Sequence, residues 1–147
     1  MKNKLQERIH RARLLFKELQ FTIHNEEQHD DVFTCEVQND SDFIGGIYID
    51  NNSRFLEITY TFSFSIKSIT YLKSKIEEIL RICYEFGSYC NFIEIDDEIL
   101  FSIYTKVYYT GLNYYSLRDT LRDFRKCIKM VTKILDFDIK NKPEEGI

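Results

Sequence analysis

Along this chain the spacing of apolar side chains switches repeatedly between a helical period and a period of two. The order of those switches limits the accessible folds more than any motif does. Residues 3–20 place Leu5, Ile9, Ala12, Phe16 and Leu19 at steps of three and four, one face of an amphipathic helix. Lys4, Arg8 and Arg11 fall together on a polar face. The stretch from His24 to Asp31 is acidic and polar without periodicity, and reads as a connection. Period two then begins. Phe33, Cys35 and Val37 alternate with Thr34, Glu36 and Gln38, which predicts a strand. Asn39-Asp40-Ser41-Asp42 supplies turn chemistry, because short polar side chains bond their own backbone. Phe43–Asp50 forms a second strand, in which Gly45-Gly46 marks a bulge or a close backbone approach. After the turn Asp50-Asn51-Asn52-Ser53, a third strand runs from Arg54 to about Phe64. Leu56, Ile58, Tyr60, Phe62 and Phe64 occupy one side of it, and Glu57, Thr59, Thr61 and Ser63 the other.

The helical period returns over roughly 67–86, where Ile69, Leu72, Ile76, Ile79, Leu80, Cys83 and Phe86 hold one face. Gly87 stands where a helix C-terminus favours a residue at positive φ. Phe92–Ile95 reads as a short strand, Asp96-Asp97-Glu98 as a turn, and Ile99–Tyr109 as a longer strand. Past Gly111-Leu112-Asn113, Ser116 is the expected N-cap with Asp119 at N3. The last helix, about 117–136, is expected to bury Leu117, Leu121, Phe124, Ile128, Val131 and Leu135. Neither strand block buries its face alone, so the two combine in one sheet covered by helices. The expectation is a single α+β domain over residues 1–140, with a five-stranded antiparallel sheet in the order α-βββ-α-ββ-α. Residues 141–147 are expected to form a flexible polar tail.

Composition narrows the function classes. With 147 residues, 44% hydrophobic and 30% charged, the chain can bury a core and is not a disordered composition. A net charge of −4 and a pI near 5.4 argue against general nucleic-acid binding, though not against a local basic patch. Cys35, Cys83, Cys90 and Cys127 show no paired spacing, and the opening MKNKLQERIHRAR is charged throughout with no apolar h-region. No apolar run approaches the length of a membrane span. A cytoplasmic protein with reduced thiols and no membrane contact is the expectation. Aromatic residues reach a high 15%, with ten Tyr, twelve Phe and no Trp, enough either to fill the core or to leave apolar surface beyond it.

The helix ending at Phe86-Gly87, followed by Phe92-Ile93-Glu94-Ile95-Asp96-Asp97-Glu98-Ile99-Leu100-Phe101, resembles the type III secretion chaperone-like fold and its YbjN-like relatives. Thr110-Gly111-Leu112 before the last helix is similar to their short Gly-containing connection. The resemblance spans residues 3–136 and rests on patterns, not on residue-level motifs. It implies small, acidic, non-enzymatic proteins, of which the secretion chaperones form homodimers that wrap an extended client segment. It assigns no role to particular residues.

Chemical motifs are weak. His24 and His29 flank Glu26, Glu27, Asp30 and Asp31, a donor set that suits zinc, but the spacing is not that of a helical HExxH site and a solvated connection explains it. Cys83 and Cys90 lack a CxxC partner, and Asp96-Asp97-Glu98 lacks the length and Gly of a calcium loop. There is no GxSxG, P-loop or GxGxxG, and His10 has no evident nucleophile beside it. No metal, cofactor or catalytic residue is therefore expected. On the last helix Arg118, Arg122, Arg125, Lys129 and Lys133 cluster on one face, a candidate anion site or simply a solvated face. Tyr60, Phe62 and Phe64 on one strand, with Tyr104 and Tyr108 on another, either fill the sheet–helix core or form a patch suited to a partner. Tyr109, Tyr114 and Tyr115 crowd the nearby connection.

The resulting expectation is a non-enzymatic protein-binding module, a chaperone or adaptor for another protein that self-associates as a homodimer. It would use an exposed aromatic sheet face or edge built on Tyr60, Phe62, Phe64, Tyr104 and Tyr108. A regulator contacting nucleic acid or a nucleotide through Arg118, Arg122, Arg125 and Lys129 is the alternative. An inhibitor or immunity-type protein that blocks one enzyme is physically the same as the first reading.

Overall fold

The computed structural model describes residues 3–40 and 42–141. Ser41 of the first expected turn and residues 142–147 of the expected tail lie outside them. The elements are α1 (Asn3–Glu18), β1 (Thr22–His29), β2 (Val32–Asn39), β3 (Asp42–Asp50), β4 (Phe55–Ser65), α2 (Ile69–Glu85), β5 (Tyr89–Ile95), β6 (Glu98–Tyr108) and α3 (Tyr114–Asn141). Short 3-10 turns at Ile66–Ser68 and Tyr109–Gly111 precede α2 and α3. The fold is α+β with an antiparallel sheet of six strands, in the order β1-β2-β3-β4-β6-β5.

The strand count corrects the expected five. The acidic segment after α1, read as a connection, is the edge strand β1, and the order is α-ββββ-α-ββ-α. Thr22, Ile23 and His24 pair with Gln38, Val37 and Glu36, then the register slips before Glu27 pairs with Thr34. Apart from the half-buried Ile23, β1 is exposed along its length. An edge strand solvated on both faces needs no apolar alternation, so the period that signals a strand is absent. Asn25 takes a φ of 50° at the slip, and its side-chain amide donates to Glu36 Oε1 at 2.6 Å. This bulge, with its charges, blunts the edge against further pairing.

Among the described residues, packing groups the chain into two compact units, one within 3–60 and 104–122, the other within 61–103 and 123–141. The chain passes between them within β4, β6 and α3. In the first unit α1 lies against β1, β2 and β3. Its Leu5, Ile9, Ala12 and Phe16 are buried with Phe33, Cys35, Val37, Ile47, Ile49, Leu56 and Ile58. Helix α1 ends in a Schellman turn: Phe21 N–H donates to Phe16 O and Gln20 N–H to Lys17 O, both at 2.9 Å, with Gln20 at φ 68°. The accompanying apolar contact is the edge-on stack of Phe21 on Phe16, 6.0 Å between centroids. Arg8 and Arg11 serve this fold. Arg8 Nη1 donates to the carbonyls of Asp50, Asn51 and Ser53 at 2.8–3.1 Å, closing the β3–β4 turn, and its guanidinium lies 3.9 Å from the Tyr109 ring centroid. Arg11 donates to Leu112 O.

In the second unit α2 packs on β5, and Leu72, Ile79, Ile82 and Cys83 are buried with Ile99, Phe101, Ile103, Phe124, Cys127, Val131 and Leu135. Leu80, expected on the apolar face, is 49% exposed, and Ile82 is buried in its stead. The buried face of α2 is therefore rotated relative to the expected one. Helix α2 ends as Gly87 foretold. Gly87 at φ 72° donates to Tyr84 O while Ser88 N–H donates to Cys83 O, a second Schellman turn. Helix α3 begins three residues earlier than expected. Its cap is Asn113, not Ser116: Asn113 Oδ1 accepts from Ser116 N–H and Ser116 Oγ accepts from Asn113 N–H, both at 2.9 Å. This is a reciprocal capping box with Ser in the place of Glu.

Candidate functional site

Strand alternation divides the aromatic residues between two sheet faces. On β4, Tyr60, Phe62 and Phe64 lie on the side of the buried Leu56 and Ile58. On β6, Tyr104 and Tyr108 alternate with the buried Ile103, Thr105 and Val107 and point the other way. The expected set therefore does not form one patch. Phe62 stacks on the fully buried Phe101 at 5.6 Å and 18°, and on Phe64 at 6.2 Å. Phe92 stacks on the other side of Phe101 at 4.5 Å. These rings form a row through the core of the second unit. Tyr60 meets Phe43 at 5.9 Å in the first unit.

The outward residues of the first unit include Tyr108, 47% exposed, edge-on to Phe55 at 5.7 Å. Lys106 Nζ sits 4.8 Å from the Phe55 centroid and 5.3 Å from that of Tyr108. A cation already occupies this small aromatic pair. On α3, Asp119 Oδ1 accepts from Arg118 Nε at 3.1 Å and Arg122 Nη1 at 3.2 Å. The Arg118 guanidinium also lies over Tyr115 and Tyr114. The N-terminal part of the basic stripe is thus engaged within the helix, while Lys129 and Lys133 are exposed. His24 and His29 lie on β1, hydrogen-bonded to Thr22 Oγ1 and paired with Glu27 respectively.

The second unit carries a surface that the sequence reading did not single out. Strand β5 is the other edge of the sheet. Phe92 faces the core, so Ile93 and Ile95, 45% and 49% exposed, face outward with Tyr89. Beside this edge, Ile69, Leu72 and Ile76 of α2 and Phe92 and Ile99 of the hairpin line an apolar groove of about 400 Å³, with the exposed Lys73 and Glu94 as its charged members. Alternating Phe92, Ile93, Glu94 and Ile95 was the available signal; what hid it was that a half-exposed edge strand reads like a buried one.

The same unit gathers three cysteines that lie far apart in the chain. Cys83 Sγ and Cys127 Sγ are 3.9 Å apart, and Cys83 and Cys90 line one groove. Hydrogen bonds with Cys127 and Cys90, together with burial, push the Cys83 thiol up. The hydrogen bond with Cys83 pulls Cys90 down against its own burial. Cys83 and Cys127 are buried, and Cys90 is partly exposed. Among the described residues no helix is long and apolar enough to cross a membrane.

No family model matches this chain, and no curated protein matches it in sequence. Solved structures do. An uncharacterized protein from Methanothermobacter thermautotrophicus superposes with a TM-score of 0.67 at 14% identity, over 91% of this chain and 98% of that one. YbjN from E. coli, a proposed transcription regulator, superposes with a TM-score of 0.59 at 12% identity, over 82% of this chain and 84% of its own. At such identities the likeness is one of fold, and it extends over most of each chain. The chain has a YbjN-like α+β fold.

Proposed function

We propose that this protein is a non-enzymatic binding module that holds an extended segment of a partner protein along β5. The observation that carries this reading is the contrast between the two edges of the sheet. The β1 edge is polar and bulged, whereas the β5 edge presents Ile93 and Ile95 beside an apolar groove. A partner strand added to β5 would gain backbone hydrogen bonds, and its alternate side chains would cover the outward isoleucines or enter the groove. The acidic turn Asp96-Asp97-Glu98 next to the edge favours a partner segment with a basic flank. Self-association through the same edge belongs to this reading, as does the blocking of one enzyme by an inhibitor-type protein.

Mild co-purification from the native host, with and without Ile93→Lys and Ile95→Lys together, tests it. Both side chains are about half exposed, so the double variant should keep its unfolding free energy in urea to within about 1 kcal/mol of the parent. It should lose the protein that the parent chain retains. A parent that elutes alone as a monomer, or a variant that keeps its partner, counts against the proposal.

The proposed role of YbjN as a transcription regulator supports a second reading, contact with nucleic acid through the basic face of α3. Arg118→Glu, Arg122→Glu and Arg125→Glu together should then abolish binding to duplex DNA. Unchanged retention on DNA sinks that reading.

A further inference from the structure

Cys83, Cys90 and Cys127 come from α2, β5 and α3, so their meeting is a product of tertiary packing in the second unit. Cys83 Sγ lies 3.9 Å from Cys127 Sγ. Cys83 and Cys90 also line an open groove with Leu80, Tyr84 and Tyr89. Cys90 is partly exposed while its neighbours are buried, which makes it the thiol a small oxidant meets first. The fourth cysteine is an internal reference. Cys35 is buried on β2 in the other unit, and burial, with the Glu26 charge second, pushes its thiol up to about 12.

We propose that the three thiols form a modification site for hydroperoxides, at which Cys90 is oxidised and then joined to Cys83. The Cys90 sulfur attacks the terminal oxygen of the hydroperoxide and the O–O bond breaks. The alcohol, or water from hydrogen peroxide, leaves with the thiol proton, and Cys90 becomes a sulfenic acid. The Cys83 sulfur then attacks the Cys90 sulfur, an S–S bond forms, and the sulfenic oxygen leaves as water with the Cys83 proton. In sum, two thiols and one hydroperoxide give one disulfide, one alcohol and one water; the sulfurs lose two electrons and the peroxide gains them. Cys127 lies within reach of Cys83, so thiol–disulfide exchange passes the bond to Cys83–Cys127 and frees Cys90. A small dithiol reverses either disulfide.

The test treats the reduced full-length chain with equimolar hydrogen peroxide, alkylates the remaining thiols and maps the products by mass spectrometry. The expected result is an intrachain disulfide that contains Cys83, reversed by dithiothreitol, with Cys35 still fully alkylatable. Cys90→Ser should slow thiol loss by about tenfold and Cys35→Ser should leave it unchanged. Sulfinic acid at Cys90 without any disulfide, disulfides only between chains, or equal rates for parent and Cys90→Ser overturn the proposal. The mapping is made on the unsubstituted chain, so it decides the matter even if a variant folds poorly.

Discussion

Gly45 sits at a φ of 140°, and a Cβ built there would fall 2.1 Å from the Thr59 carbonyl oxygen. Strand β3 approaches β4 so closely at this point that only a residue without a side chain fits. The register between β2 and β3 shifts alongside, between Val37 and Gln38, which is the bulge the Gly45-Gly46 pair announced. Gly45→Ala must move backbone, and it should lower stability by about 2 kcal/mol or more. Gly111 has open space around it, and Gly111→Ala should stay within about 0.5 kcal/mol of the parent. Urea denaturation of the two variants checks the pair; equal midpoints would contradict the close approach. Arg8 is the other residue whose role is structural, since one guanidinium satisfies three carbonyls of a turn. The flat guanidinium also lies 3.9 Å from the Tyr109 ring centroid, a stacking that a lysine ammonium does not reproduce.

At the scale of elements, helix ends show where local chemistry is optimal and where it is not. Both α1 and α2 close with a left-handed residue, but α2 uses Gly87 and α1 uses Gln20. A side chain in that conformation costs about 1 kcal/mol, so Gln20→Gly should raise the thermal midpoint while Gly87→Ala lowers it. Helix α3 depends on Asn113, whose side chain and backbone exchange hydrogen bonds with Ser116. Asn113→Ala should cost about 1 kcal/mol, and Asn113→Asp should recover most of that. If Ser116 were the cap, as spacing alone indicates, Asn113→Ala would be nearly silent; thermal melts distinguish the two. The edge strands differ in the same local terms. Strand β1 is bulged and its Glu26 is gripped by Arg13 at 2.5 Å, whereas β5 carries exposed isoleucines, and this difference underlies the proposed docking edge.

At the scale of the whole molecule, two buried protons tie stability to alkaline pH. Burial chiefly pushes Cys35 from 9.0 to about 12 and Tyr109 from 10.0 to about 12, the Arg8 charge opposing the latter. Each group is neutral when protonated, and the folded chain holds the proton to higher pH than the unfolded chain does. Their contribution is therefore complete below pH 9, and it is lost as the unfolded groups ionise and pH climbs toward 12. The urea midpoint should fall steadily over that window. The Tyr109 hydroxyl is buried with no hydrogen-bond partner among the described residues. Tyr109→Phe should consequently be no less stable at pH 7 and should lose less stability between pH 10 and 12. A titration profile identical to the parent's would show that Tyr109 is not the group responsible.

What the sequence determined by itself was local: helical and strand periods, the turn at Asp50–Ser53, the left-handed Gly87 and the glycine bulge on β3. Each depends on the conformational preferences of a few adjacent residues, which packing here reinforces. Tertiary structure decided what needs a neighbour. Strand β1 has no apolar period and is held as a strand by its hydrogen bonds to β2. The aromatic set had to be assigned to faces before it could be read: Phe62 joins a core stack with Phe101, while Tyr108 points outward. The three cysteines share no sequence spacing, and only the packing of α2, β5 and α3 brings two of them to 3.9 Å. The repeated change of period therefore named the fold class, but the candidate sites depend on adjacency between elements distant in the chain, which periodicity does not encode.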